Sequence, residues 1–194
     1  MRPYCGALDK LQSDKARLFD VTLSFGYLMQ FWEEYSDRIF AEGMISRLQV
    51  RWHSWEQPLL LFSLILHPKY RMTKFNSLME TINYVTFGHW LNYYYKAWIQ
   101  KNPTKILGEF EKYRTKQYPF NEVTYTQFQN NILAYWKFCS NETKELGAVA
   151  IKIFGIYVNS ALCEHLFSTM GFLYTPSRNA LKVNFFYFIL IIIN

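Results

Sequence analysis

The feature that most narrows the fold is a helical apolar period that recurs between proline and glycine breaks. From Asp14 the positions Leu18, Val21, Phe25, Leu28, Trp32 and Tyr35 step by three and four, which lines them along one helix face. A second run, Pro58 to Leu66, is almost wholly apolar and stops at His67-Pro68. Proline suits a first helical turn and pushes the residue before it away from helical angles. This run predicts a buried helix of about two to three turns. Thr81 to Ile99, Thr104 to Lys116, Tyr125 to Phe138 and Lys144 to Phe154 repeat the pattern, with breaks at Asn102-Pro103, Tyr118-Pro119 and Gly155. Ile156-Tyr157-Val158 reads as a short extended bridge. The expectation is a mostly α fold with little room for a large sheet.

Composition supports an ordered chain. Hydrophobic residues make up 51% and aromatics 20%, which excludes the disordered class. The formal charge of +6 comes partly from Lys69, Arg71, Lys74, Lys101, Lys105, Lys112, Arg114 and Lys116, interleaved with Tyr and Trp. That balance fits a polyanionic partner and equally fits solvated helix faces. The three cysteines, Cys5, Cys139 and Cys163, form no CxxC pair, and their odd number argues against a disulfide framework. They read as reduced thiols of an intracellular protein. His53, His67, His89 and His165 show no zinc-ligand spacing. The start, MRPYCGALDKLQSDK, lacks the apolar core of a secretory signal. The uncharged run from Asn184 to Asn194 is shorter than the ~20 residues of a membrane span, and too apolar to lie exposed safely.

Between Val158 and Leu181 one acid, Glu164, stands among apolar and hydroxyl residues. Asn159 or Ser160 can cap a helix here. A capping-box glutamate falls three residues after its cap, whereas Glu164 falls four after Ser160 and five after Asn159. On a helical wheel Leu162, Cys163, Leu166, Phe167 and Met170 share one apolar face; Glu164 falls on the other with Ala161, His165, Ser168 and Thr169. From the residues alone, Glu164 is a surface acid favoured by the helix dipole.

The order of pieces says more. Tyr135-Trp136 is followed by a helix through Val149-Ala150-Ile151, then Asn159-Ser160-Ala161, Glu164-His165-Leu166-Phe167-Ser168, Gly171 and Arg178-Asn179-Ala180-Leu181. This series resembles the C-terminal dimerisation region of hAT-family DNA transposases. Trp55-Glu56-Gln57-Pro58 and Leu66-His67-Pro68-Lys69-Tyr70 are similar to the helical section before that region.

The resemblance implies a ribonuclease H-like α/β fold interrupted by a helical insertion. It assigns residues 1–130 to part of the insertion and 131–181 to the dimerisation region, with the sheet largely missing. Residues 182–194 become an aberrant apolar tail, with Val183 to Asn194 expected to be read-through from an unspliced intron or a shifted frame. Dimerisation is implied for Leu162, Leu166, Phe167 and Met170. Glu164 takes the place of the third acid of a D-D-E triad, which holds Mg²⁺ in an intact parent transposase.

The match has departures. His165 stands where the family has arginine, removing a permanently charged fork, and Ala180 replaces the second arginine of R-N-R-L. The aspartates are Asp9, Asp14, Asp20 and Asp37, and Asp20 lies in a helical pattern rather than a strand. Neither catalytic aspartate carries over, and one carboxylate cannot hold two metals. Arg51-Trp52 does not continue as the family's upstream motif does, and no BED-type zinc finger is present. The expectation is therefore a nuclear C-terminal fragment of an hAT-type transposase that dimerises with itself or a related transposase. No cofactor, independent catalysis or membrane association is expected, and DNA contact belongs to the parent protein. The alternative is a domesticated, non-catalytic helical module that binds DNA or a protein partner.

Overall fold

Asparagine and aspartate side chains set where several helices begin. Asp37 accepts from the Phe40 N–H at 3.1 Å, Asn83 from Thr86 at 2.9 Å, Asn121 from Thr124 at 2.8 Å and Asn131 from Ala134 at 3.0 Å. Each bond satisfies a first-turn donor that has no partner inside its helix. The computed structural model describes residues 2–13, 15–54, 57–71 and 83–158. These residues form α1 (Arg2–Leu11), α2 (Leu18–Glu33), α3 (Arg38–His53), α4 (Gln57–Ile65), α5 (Tyr84–Ile99), α6 (Ile106–Arg114), α7 (Glu122–Thr126), α8 (Ile132–Cys139) and α9 (Lys144–Gly155). The chain is mostly α, and no strand occurs among the described residues. An isolated antiparallel bridge joins Arg17 to Tyr157, and the Val158 N–H donates to the Ala16 carbonyl at 3.3 Å.

Helix α4 lies at the centre because its sequence has no polar face to offer water. Phe62, Ser63, Ile65 and Leu66 are fully or almost fully buried, and the Ser63 hydroxyl bonds back to the Leu60 carbonyl at 2.6 Å. Helix α2 packs against α4, and its Thr22 hydroxyl donates to the same carbonyl at 3.0 Å. Helix α9 touches α4, α5, α6 and α8. One core results, in which Phe87 and Leu91 of α5, Ile106 and Tyr113 of α6, Tyr135 and Trp136 of α8, and Leu146, Val149 and Ile153 of α9 meet.

The apolar periods of α2, α4, α5, α6 and α9 correspond to the helices observed, and Ile156-Tyr157-Val158 supplies the extended bridge. Two helices, α1 and α3, have no counterpart in the periodicity. The single helix expected over Tyr125–Phe138 is a correction: the chain forms α7 and α8 instead, separated by a turn in which Gln129 and Asn130 have φ of 47° and 64°. No helix among the described residues is long and apolar enough to cross a membrane.

Candidate functional site

The first part of the region singled out by the resemblance is built around Tyr135 and Trp136, both fully buried on α8. Trp136 Nε1 donates to the Leu66 carbonyl at 3.0 Å, and the Tyr113 hydroxyl donates to the Ile65 carbonyl at 2.8 Å. These two aromatics therefore satisfy carbonyls at the end of α4 that no helical turn can reach. Burial pushes the Tyr113 phenol well above its ordinary range and lifts the Cys139 thiol to about 11, so both remain neutral. Cys139 is a packing group in this setting, not a nucleophile.

Arg71 ties the same layer together from the side. Its Nε donates to the Pro68 carbonyl at 3.1 Å and its Nη2 to the Phe120 carbonyl at 2.6 Å, while Nη1 donates to the Tyr113 carbonyl. The guanidinium also lies 4.2 Å from the Tyr113 ring centroid. The planar fork serves three carbonyls at once, which a lysine cannot do.

Helices α6 and α9 cap one another through acids. Glu145, in the first turn of α9, accepts from Thr104 N–H at 3.0 Å, the Thr104 hydroxyl at 2.9 Å and Lys105 N–H at 2.8 Å, all at the entry to α6. In return Glu109 of α6 accepts from the Leu146 N–H of α9 at 2.7 Å. Desolvation pushes Glu145 up, but its N–H and hydroxyl partners outweigh that and hold it below its ordinary value. Glu109 is more deeply buried, and desolvation leaves its carboxyl above its ordinary value despite the Leu146 bond. The pair locks the relative position of two helices through first-turn donors.

The α8–α9 corner is equally close. An added Cβ at Gly147 would lie 2.5 Å from Ser140 Cβ and 2.7 Å from Ser140 Cα. Only glycine permits this approach. Exposed apolar side chains in this part of the chain fall on separate elements: Tyr118 before α7, Val123 on α7, Phe138 on α8 and Tyr157 after α9.

Glu164, Leu162, Cys163, Leu166, Phe167 and Met170 lie outside the described residues, as do Lys74 and the tail from Val183 to Asn194. Asp20 lies within α2 as its pattern implied. Its carboxylate accepts from Arg17 N–H at 3.0 Å and pairs with Lys10 at 2.9 Å. Among the described residues, no group of three or more His, Cys, Asp and Glu is placed to hold a metal ion. The Arg71 clamp and the Glu109–Glu145 exchange carry no motif. Only the position of Glu145 at a helix start hints at its role.

No curated protein and no solved structure matches the chain. Residues 109–185 match the family model of the hAT family C-terminal dimerisation region. That match starts within α6 and takes in α7, α8 and α9, the helices whose mutual capping and shared aromatic core are described above. Over residues 109–185, about two fifths of the chain, the protein is thus similar to the hAT family C-terminal dimerisation region.

Proposed function

We propose that the chain self-associates, or pairs with a related transposase, through the part of the dimerisation region that follows α9. The observation that carries this reading is the match over residues 109–185. The described part of that segment turns its aromatic and aliphatic side chains into its own core, leaving exposed apolar residues only singly. Scattered apolar residues of this kind are normal surface, not an interface. The apolar set Leu162, Leu166, Phe167 and Met170, read from its sequence spacing, is then the candidate for pairing. In this reading the chain is a nuclear piece of a ribonuclease H-like transposase, and DNA contact is made by the parent protein through its basic surface. Glu164 is the third acid of the triad in an intact, Mg²⁺-dependent parent and performs no strand cleavage here. The engagement of Asp20 with Arg17 and Lys10 supports leaving it out of any metal site.

Sedimentation of the full chain tests the reading. The wild type is expected to run as a dimer or larger, and the double substitution Leu166→Asp, Phe167→Asp as a monomer. If both run as monomers, self-association is the wrong function.

A further inference from the structure

We infer that a cleft beside the Arg71 clamp is a binding site for a phosphate group. The cleft has a volume of about 270 Å³, just below the ~300–1,000 Å³ of drug-sized ligand pockets, so it suits a small ligand. Lys69 and Arg71 line it from the turn after α4, Lys116 from the turn after α6, and Asn121 and Asn130 from the two sides of α7. Glu122 is the one acid in the lining, so three cations less one carboxylate leave an excess of two positive charges. Neither Lys69 nor Lys116 takes part in an ion pair among the described residues. Arg71 is fixed by neutral carbonyls, which hold the guanidinium still without cancelling its charge.

The amides add neutral donors. Asn121 commits its side-chain oxygen to the Thr124 N–H at 2.8 Å, which leaves its NH₂ to give. The Tyr125 hydroxyl donates to Asn130 Oδ1 at 3.4 Å, which orients the second amide in the same sense. A net excess of two positive charges and two amide NH₂ groups match a phosphate dianion better than a carboxylate, which has fewer oxygens and half the charge.

Turn conformations fix where three of these residues stand. Arg71, Lys116 and Asn130 have φ of 47°, 55° and 64°, in the left-handed region that glycine adopts without penalty. Of the five non-glycine residues in this region among those described, these three line the one cleft. At each of them the chain carries a charged or amide side chain where glycine is easier to accommodate. At Lys116 this conformation closes α6, where the Lys116 and Gln117 N–H groups return to the Tyr113 and Lys112 carbonyls at 3.2 and 3.0 Å.

The phosphate can belong to a free ester or to a nucleic-acid backbone, and the inference stands apart from the dimerisation reading. The test titrates inorganic phosphate and a mononucleoside monophosphate into the full chain by calorimetry, with chloride matching the ionic strength. Saturable binding is expected. Lys69→Ala and Lys116→Gly should each weaken it about tenfold, the loss of one charge-assisted hydrogen bond. Lys116→Gly removes the left-handed non-glycine residue, so its melting temperature should stay the same or rise. A loss of binding then cannot be assigned to unfolding. A short DNA duplex forms the second arm. A backbone phosphate is indicated if Lys116→Gly weakens duplex binding and lowers its salt slope by about one, and a free ester if the duplex is unaffected while phosphate binding falls. No saturable phosphate binding, or equal binding by wild type and both variants, overturns the inference. Sedimentation of Lys116→Gly should match the wild type, which keeps this result separate from any change in self-association.

Discussion

His67 shows how a single side chain can carry both structure and pH dependence. It is 4% exposed, and its ring lies edge-on to Phe19 at 4.7 Å and against Tyr70 at 4.2 Å. Nδ1 accepts from the Lys69 N–H at 3.1 Å, so the neutral ring is the form the site accommodates. Desolvation lowers its pKa from 6.5 to about 4; Asp20 opposes the shift and Lys69 adds to it. The sign follows directly. Between those two values the unfolded chain binds a proton that the folded chain refuses, so stability is lost as pH falls through the window. The loss from this group is about 3 kcal/mol. Proton NMR should find the His67 ring titrating near pH 4, and a His67 value above 6 would refute the buried neutral ring. Little of this is legible in the sequence. His67 is marked by the proline after it and by the Leu66–Tyr70 resemblance, neither of which shows its burial, and Arg71 is one of eight scattered cations, because burial and carbonyl partners depend on segments far apart in the chain.

At the scale of elements, legibility followed how much of each helix is buried. Helices α2, α4, α5, α6 and α9 turn an apolar face or a whole apolar surface to the core, and their spacing shows it. Helix α3 buries only Ala41 and leaves Ile39, Phe40 and Val50 in water, so no apolar stripe exists to find. The turn between α7 and α8 was hidden for the opposite reason. Phe128, Ile132 and Tyr135 keep helical spacing across it, while the break is set by Asn131, whose side chain caps Ala134. Asparagine's tolerance of the left-handed region lets Asn130 turn the chain just before. The α8–α9 corner supplies the sharpest test of packing. Gly147→Ala gains helix propensity but drives a methyl group into Ser140, including its backbone, so it should destabilise the fold by about 2 kcal/mol. Gly108→Ala in α6 has nothing within 4 Å of the new methyl and should stabilise by about 0.5–1 kcal/mol. Thermal melts of the two variants that shift in the same direction would contradict this account.

For the whole molecule, the question is whether the core and the pairing surface are one cooperative structure or two. Residues Met1–Val158 form a compact unit by contact density. Within it, Tyr113 and Trp136 satisfy the Ile65 and Leu66 carbonyls where α4 ends, Glu145 and Glu109 cap each other's helices, and Val158 returns to Ala16. Arg17 adds its guanidinium 3.6 Å from the Tyr157 ring centroid at that return point. A chain ending at Val158 should therefore keep its helical circular dichroism and unfold in one cooperative transition. The family match extends 27 residues further, from 159 to 185, and the apolar set Leu162, Leu166, Phe167 and Met170 lies in that part. If that set makes the subunit contact, the truncated chain should sediment as a monomer at concentrations where the full chain does not. A truncated chain that still self-associates would move the interface onto the described helices, with Val123 and Phe138 as the first residues to replace by Asp. A truncated chain that fails to fold would show that the closure described for Ala16, Tyr157 and Val158 is not sufficient, and that the dimerisation region completes the core as well as pairing the subunits.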